Sequence, residues 1–241
     1  MQIVSLTDRP DLAGSFGEIP NNWPAFMQQS PVAARCFGPL LRNFPELQFL
    51  ILDSNGTPIG RLHAVPIPWQ GADALPDRGW DAAMEGALGL AEPTPAVSLI
   101  EAMIDPAHNG RGLSSQLLQA VRERASGLGY RHLVGPVRPS QKSVEPRTPM
   151  AEYVARRRPD GLPADAWLRV HVRLGADIVR ICPLSMIIPG TVEQWRSWTG
   201  LPFAASGEVE VPGALTPVHV DRDHDHVVYV EPNVWMHHRL S

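Results

Sequence analysis

Val97 to Leu118 reads VSLIEAMIDPAHNGRGLSSQLL, and this run decides the fold because it sets a strand, a glycine turn and a helix in order. Val97 to Ile104 is mostly apolar, has no helical period and is short enough for a buried strand. Asp105-Pro106 stops it. The turn His108-Asn109-Gly110-Arg111-Gly112 lets the backbone come close to a ligand, since glycine has no Cβ to obstruct the approach. From Leu113 the apolar positions Leu117, Leu118, Val121, Ala125 and Leu128 follow helical spacing, and Gly127 and Gly129 suit a helix end. Unpaired N–H groups and about half a positive charge at that helix start favour an anion, most often a phosphate.

No Gly-Lys-Ser/Thr follows the glycines, so the turn is not a P-loop, and no third glycine comes at the dinucleotide-binding spacing. The run instead resembles motif A of the GNAT acyltransferases, whose strand ends in Val-Asp-Pro and leads into Arg/Gln-x-x-Gly-x-Gly/Ala. Here Ile104-Asp105-Pro106 is followed by Asn109-Gly110-Arg111-Gly112-Leu113-Ser114. Gly112 matches the pattern, while Asn109 stands where Arg or Gln is usual and Ser114 where Gly or Ala is usual. The resemblance implies that the pyrophosphate of coenzyme A sits on Asn109, Gly110, Arg111, Gly112, Leu113, Ser114 and Ser115, mostly through main-chain N–H groups. It also implies that the pantetheine arm runs along Met103 and Ile104.

A second segment, Ala166-Trp167-Leu168-Arg169-Val170-His171-Val172-Arg173-Leu174-Gly175-Ala176, is similar to the GNAT sequence Leu-Tyr-x-x-x-Gly-Phe. His171 takes the place of the tyrosine and Ala176 that of the phenylalanine. The family tyrosine often protonates the departing thiolate, and imidazole, with an ordinary pKa near 6.5, is able to do the same. The alternative is a histidine packed between helix and sheet. Glu101 is the sole carboxylate inside the motif strand. An alkylammonium acceptor with a pKa near 10.4 is about one part in a thousand free amine at pH 7, so a base on this strand has work to do, worth roughly 10² to 10⁴ in rate. The alternative for Glu101 is an edge-facing or salt-bridged residue.

Around these motifs the 241 residues suit one large domain, 1–241, with motif A at 97–129 and an insertion at about 189–226. A net charge of −4 argues against a general nucleic-acid binder, and no apolar run approaches the 18 residues that a membrane helix needs. The opening MQIVSLTDRPDL lacks a basic region followed by an apolar core, so no secretory signal is expected. Cys36 and Cys182 are too few for a disulfide framework and read as reduced, buried thiols of a cytoplasmic protein.

The remaining pattern predicts strands over Gln2–Leu6, Glu46–Leu52, Pro58–Val65, Arg131–Val137, Ile178–Ile188, Val209–Val220 and Val227–Met236. Helices are predicted over Val32–Arg42, Trp80–Leu88, Met150–Arg158, Ala164–Leu174 and Thr191–Thr199, the last with Thr191 as N-cap. Asn55-Gly56 marks a hairpin between the second and third strands. This order is that of an α/β (α+β) GNAT-like fold, a mixed central sheet with helices on both faces and a large insertion before the last strand. Asp221 to His226 has metal-like residue types but reads better as a solvated turn, and Arg156-Arg157-Arg158 as a solvated helix end. Trp23, Trp69, Trp80 and Trp167 read as core residues, with an acceptor-pocket lining as the alternative.

The expected activity is acyl transfer, acetyl first, from acyl-CoA to an amine of a small molecule or peptide by direct attack, with Glu101 as base and His171 as acid and without a metal. The partners expected are a small-molecule amine, no nucleic acid and no membrane; the oligomeric state stays open, a homodimer included. Two rivals keep the fold. One is a transferase fed by aminoacyl-tRNA or a carrier protein, motivated by Asn109. The other is a non-catalytic CoA-binding module, motivated by His171 in place of tyrosine.

Overall fold

The computed structural model describes residues 1–20 and 23–241. In chain order its elements are β1 (Gln2–Ser5), α1 (Pro31–Asn43), β2 (Gln48–Leu52), β3 (Pro58–Pro66), α2 (Gly79–Leu88), β4 (Ala96–Ile104), α3 (Leu113–Gly127), β5 (His132–Val137), α4 (Met150–Ala155), α5 (Ala166–Arg173), β6 (Asp177–Gly190), α6 (Val192–Thr199), β7 (Gly207–Val209), β8 (Val218–Asp221) and β9 (His226–Arg239). The strands form one sheet in the order β1-β2-β3-β4-β5-β9-β8-β7, with β6 on the other edge of β9. Among the described residues only β4 and β5 pair in parallel, and α3 makes the crossover that such a pair needs.

Local chemistry sets the element ends. Ser30 accepts from the Ala33 N–H at the start of α1, and Thr191 and Gln194 form a reciprocal capping box on α6. Asp105 Oδ1 accepts from the Ala107 N–H, so the Asp-Pro pair ends β4 and opens the turn toward α3. The stretch Val209–Val220, expected as one strand, is instead two, β7 and β8, around a turn at Pro212-Gly213. Pro212 and Pro217 have no N–H to give to a ladder, and the residues between them bury Ala214 and Leu215 as a loop.

Both faces of the sheet are covered. Side chains of α1, α2 and α6, among them Cys36, Leu40, Met84 and Trp195, pack with Ile100, Val134 and Trp235 on one face. On the other, Leu113, Leu117, Leu118 and Val121 of α3 pack with Val97, Leu99 and Leu133, and Trp167, Val170 and Leu174 of α5 join them. The 35 residues numbered 191–225, between β6 and β9, supply α6 and the β7–β8 hairpin that prolongs the sheet.

Candidate active site

The glycine turn forms a cradle of unpartnered amides. Gly110 and Gly112 have φ of +78° and +72°, conformations that cost an ordinary L-residue steric strain. Gly112 is the N-cap of α3 and offers no side chain to its first turn. Among the described residues, no protein acceptor meets the N–H groups of Gly110, Arg111, Gly112, Leu113 and Ser114. A Cβ built on either glycine would meet nothing within 4 Å, so the space before the helix is open. Asn109, Gly110, Arg111 and Gly112 are exposed, Ser114 and Ser115 half-buried, and only Leu113 is turned into the core. These residues fit the diphosphate of a nucleotide-bearing thioester, held on a helix N-terminus.

Beside this cradle the sheet comes apart. β4 and β5 pair only through Ala96–Ser98 and His132–Val134, while β4 runs on to Ile104 and β5 follows β9 to Val137. The carbonyl of Ile100, freed from that ladder, accepts from Trp80 Nε1 at 2.9 Å. In the pairing with β3, Leu99 lies opposite Ala64 and Glu101 opposite His63, which leaves Ile100 as a bulge. A bulge puts one extra residue into a strand and re-aims those that follow. Ile100 therefore joins the core under α1 and α2, and Glu101 follows it onto the same face instead of alternating toward α3. Met103 also lies on that face, packed with Phe16 and Ile19, whereas Ile104 packs with the α3 side.

Glu101 is held tightly. Arg61 Nε and one terminal nitrogen donate to its two oxygens at 2.7 and 3.2 Å, and Trp23 Nε1 donates to Oε1 at 2.8 Å. Burial works to raise its pKa, but the Arg61 hydrogen bonds, the nearby His63 and the indole outweigh this and hold the carboxyl below its ordinary value. Glu101 is thus a carboxylate at neutral pH, with its side chain 11% exposed.

His171 lies elsewhere. It is fully buried on α5, against the Trp167 ring, and its Nδ1 lies 3.0 Å from His238 Nε2. His238 pairs with Leu133, at the end of β5 that is still joined to β4. Burial, then the neighbouring His238, pushes the His171 pKa well down, so its imidazole is neutral. The sequence pattern around it has a structural cause. The Ala176 N–H returns to the His171 carbonyl and the Gly175 N–H to that of Val172, with Gly175 at φ +83°. This is a Schellman stop, and it requires glycine at that position. The structure therefore brings the turn, the splayed strands and Glu101 to one end of the sheet, and His171 to the joined end on the opposite face.

The family model described as the acetyltransferase (GNAT) family matches residues 19–144, which spans β2 to β5 with the cradle and the splay. The arginine N-acetyltransferase avaD of Aspergillus versicolor is 32% identical over 248 residues, covering 90% of this chain and 85% of that protein. The chain belongs to the GNAT acetyltransferase family. It is an N-acyltransferase that takes its acyl group from acyl-CoA and passes it to an amine. Two solved structures share the GNAT fold. The loading GNATL domain of CurA from Lyngbya majuscula has a TM-score of 0.60 at 15% identity, covering 99% of this chain and 96% of that one. The GphF GNAT-like decarboxylase in complex with isobutyryl-CoA has a TM-score of 0.56 at 22% identity, with both chains fully covered.

Several residues of this GNAT site escaped the sequence reading. Arg61 and His63 sit two apart on β3 and so share a face, a pattern legible as two polar residues in an otherwise apolar strand. Trp23 reads from the sequence as a core residue, with an acceptor-pocket lining as the alternative, and nothing in the sequence ties it to Glu101. Arg138, directly after β5, pairs with Glu231 at 2.9 Å, donates to the Gly213 carbonyl, and stacks over the Trp23 ring at 5.5 Å. Glu231 also accepts from Tyr229 and Asn233. This network fills the edge of β9 between its pairing with β5, which begins at Val234, and its pairing with β8, which ends at Val228.

Proposed function

We propose that this GNAT enzyme acetylates a small cationic amine, arginine or a close analogue, from acetyl-CoA. The observation that carries the reading is Glu101: an ionised, mostly buried carboxylate just after the β4 bulge, at the open end of the splay and on the face away from α3. A donor lying on the α3 side would extend its thioester through the splay toward that face. A cationic acceptor arriving from the other side would meet Glu101, with the Trp23 and Trp80 rings beside it. The acceptor class is taken from the relative named an arginine N-acetyltransferase. Asn109 to Ser115 would carry the diphosphate, and the main chain at Met103 and Ile104 the pantetheine arm.

Direct attack suits the thiols available. Burial raises the pKa of both cysteines, that of Cys182 to about 12, so neither is a ready nucleophile for a covalent acyl intermediate. The same two buried, unpaired thiols support a reducing, cytoplasmic setting. Glu101 would take the proton from the acceptor. His171 is not assigned the proton for the departing sulfur: it is buried at the joined end of the sheet, its Nδ1 against His238 and its Nε2 without a partner among the described residues.

Thiol release from acetyl-CoA with arginine, lysine, agmatine and a neutral amine, with mass spectrometry of the products, tests the reading. Acetylated arginine or agmatine at turnover well above the neutral amine is expected. Tight binding of acetyl-CoA without turnover on any amine would refute it in favour of a binding module, and transfer from an acylated carrier protein alone would refute the donor.

A further inference from the structure

His63, buried behind Glu101, has its tautomer fixed by its neighbours. Gln48 Nε2 donates to the carbonyls of Phe44 and Ala64 at 2.8 and 2.9 Å, which orients the amide and leaves Oε1 as an acceptor only. His63 Nδ1 lies 2.8 Å from that Oε1 and must therefore carry the hydrogen. In the neutral ring Nε2 then presents a lone pair, and it faces Glu101 Oε2 at 3.6 Å. Two acceptors face each other there, an arrangement that gains from a proton placed between them.

We propose that His63 and Glu101 form a proton-accepting pair in which His63 stands behind the carboxylate as a positioning and relay residue, with Gln48 setting its tautomer. The proposal rests on Glu101 being the group that meets the acceptor. Held by Arg61, the carboxylate alone is a weak base, and the lone pair behind it gives an arriving proton a second site. The acceptor ammonium gives one proton to the pair, where it lodges on Nε2 opposite the carboxylate. The free amine attacks the thioester carbonyl carbon and the carbon–sulfur bond breaks. The nitrogen's second proton ends on the thiol of CoA, and the first leaves His63 for solvent, so one proton is released per turnover. The charged groups around the ring are Glu101 on β4 and Arg61 on β3; Phe16 and Phe37, with centroids 4.8 and 4.9 Å away, and Gln48 on β2 close the other sides. Burial, before the opposing pull of Glu101, lowers the His63 pKa to about 4, so the ring rests neutral at pH 7 and passes a proton on rather than keeping it.

The test is His63→Asn, whose amide nitrogen keeps the donation to Gln48 while deleting the Nε2 lone pair, assayed beside His63→Phe, which fills the aromatic box. Both are expected to lose about 10- to 100-fold in kcat, a part of what a full base supplies. The KM for acetyl-CoA should be unchanged, and the acid limb of the pH profile should move. Nitrogen-15 shifts of wild-type His63 at pH 7 should show Nδ1 protonated and Nε2 bare. A hydrogen on Nε2, or wild-type kcat with an unmoved pH profile in folded His63→Asn, would overturn the proposal. A wild-type enzyme that acetylates no amine would instead defeat the functional reading, and the tautomer measurement still judges the pair by itself.

Discussion

Trp23 Nε1 donates to Glu101 Oε1 at 2.8 Å, tying the N-terminal segment to the motif strand 78 positions later. The same indole ring lies under the Arg138 guanidinium, so it touches Glu101 on β4 and Arg138 just after β5. Its N–H is among the causes that hold the Glu101 pKa down. Trp23→Phe keeps a ring for Arg138 and removes that donor, so the Glu101 pKa should rise. The acid limb of kcat/KM should move to higher pH, with kcat at pH 8 within about tenfold of wild type. An unmoved limb would show that Glu101 does not control it.

Glu101→Gln leaves Arg61 opposite a neutral amide. Breaking a buried pair by removing one partner costs about 3–5 kcal/mol, here reduced because the pair keeps slight exposure. Turnover is expected to fall at least about 100-fold, with a lowered melting temperature. Wild-type turnover would remove Glu101 from the chemistry.

Gly112→Glu places a bulky anion in the open space before α3, at a φ of +72° that resists any side chain. Acetyl-CoA affinity measured by calorimetry should drop more than about 100-fold, or roughly 3 kcal/mol, while circular dichroism stays that of the wild type. Unchanged affinity would move the diphosphate away from this cradle.

His171→Phe separates a buried structural histidine from a proton donor. With the ring held by His238, turnover should stay within about threefold and the loss should appear in thermal stability. A fall of 100-fold in kcat with stability preserved would return His171 to the chemistry as a proton donor.

Acid should destabilise the fold. Burial lowers the pKa of His63 and His238 to about 4, and that of His171 well down. Between pH 6.5 and about 4 the unfolded chain binds protons on these rings that the native rings do not. Stability is therefore full above 6.5 and falls with pH, by about 1.4 kcal/mol per unit for each such ring. Asp81 works the other way: burial raises its pKa to about 6, so its native carboxyl holds a proton that the unfolded one loses between about 4 and 6. Three rings outweigh one carboxyl, and the urea midpoint should be lower at pH 5 than at pH 7. Equal midpoints would mean that the buried histidines open to solvent.

What the sequence determined by itself was local. The strand, turn and helix of motif A, the Asn-Gly hairpin and the Thr191 cap depend on interactions within a few residues, and they lie where the text placed them. The division of 209–220 into two strands is also local, set by Pro212 and Pro217. What the tertiary structure decided depends on distance along the chain. A single unpaired residue, Ile100, turns Glu101 onto the face under α1 and α2, and only the register with β3 creates that bulge. The Glu101 partners Trp23, Arg61 and His63 come from two other segments, and no spacing rule links them to it. His171 sits at the matching motif position, yet its surroundings are set by His238, brought there by the pairing of β9 with β5. Backbone hydrogen-bonding and capping are written in neighbouring residues; the charge and protonation of a buried group are fixed by whatever folding packs against it.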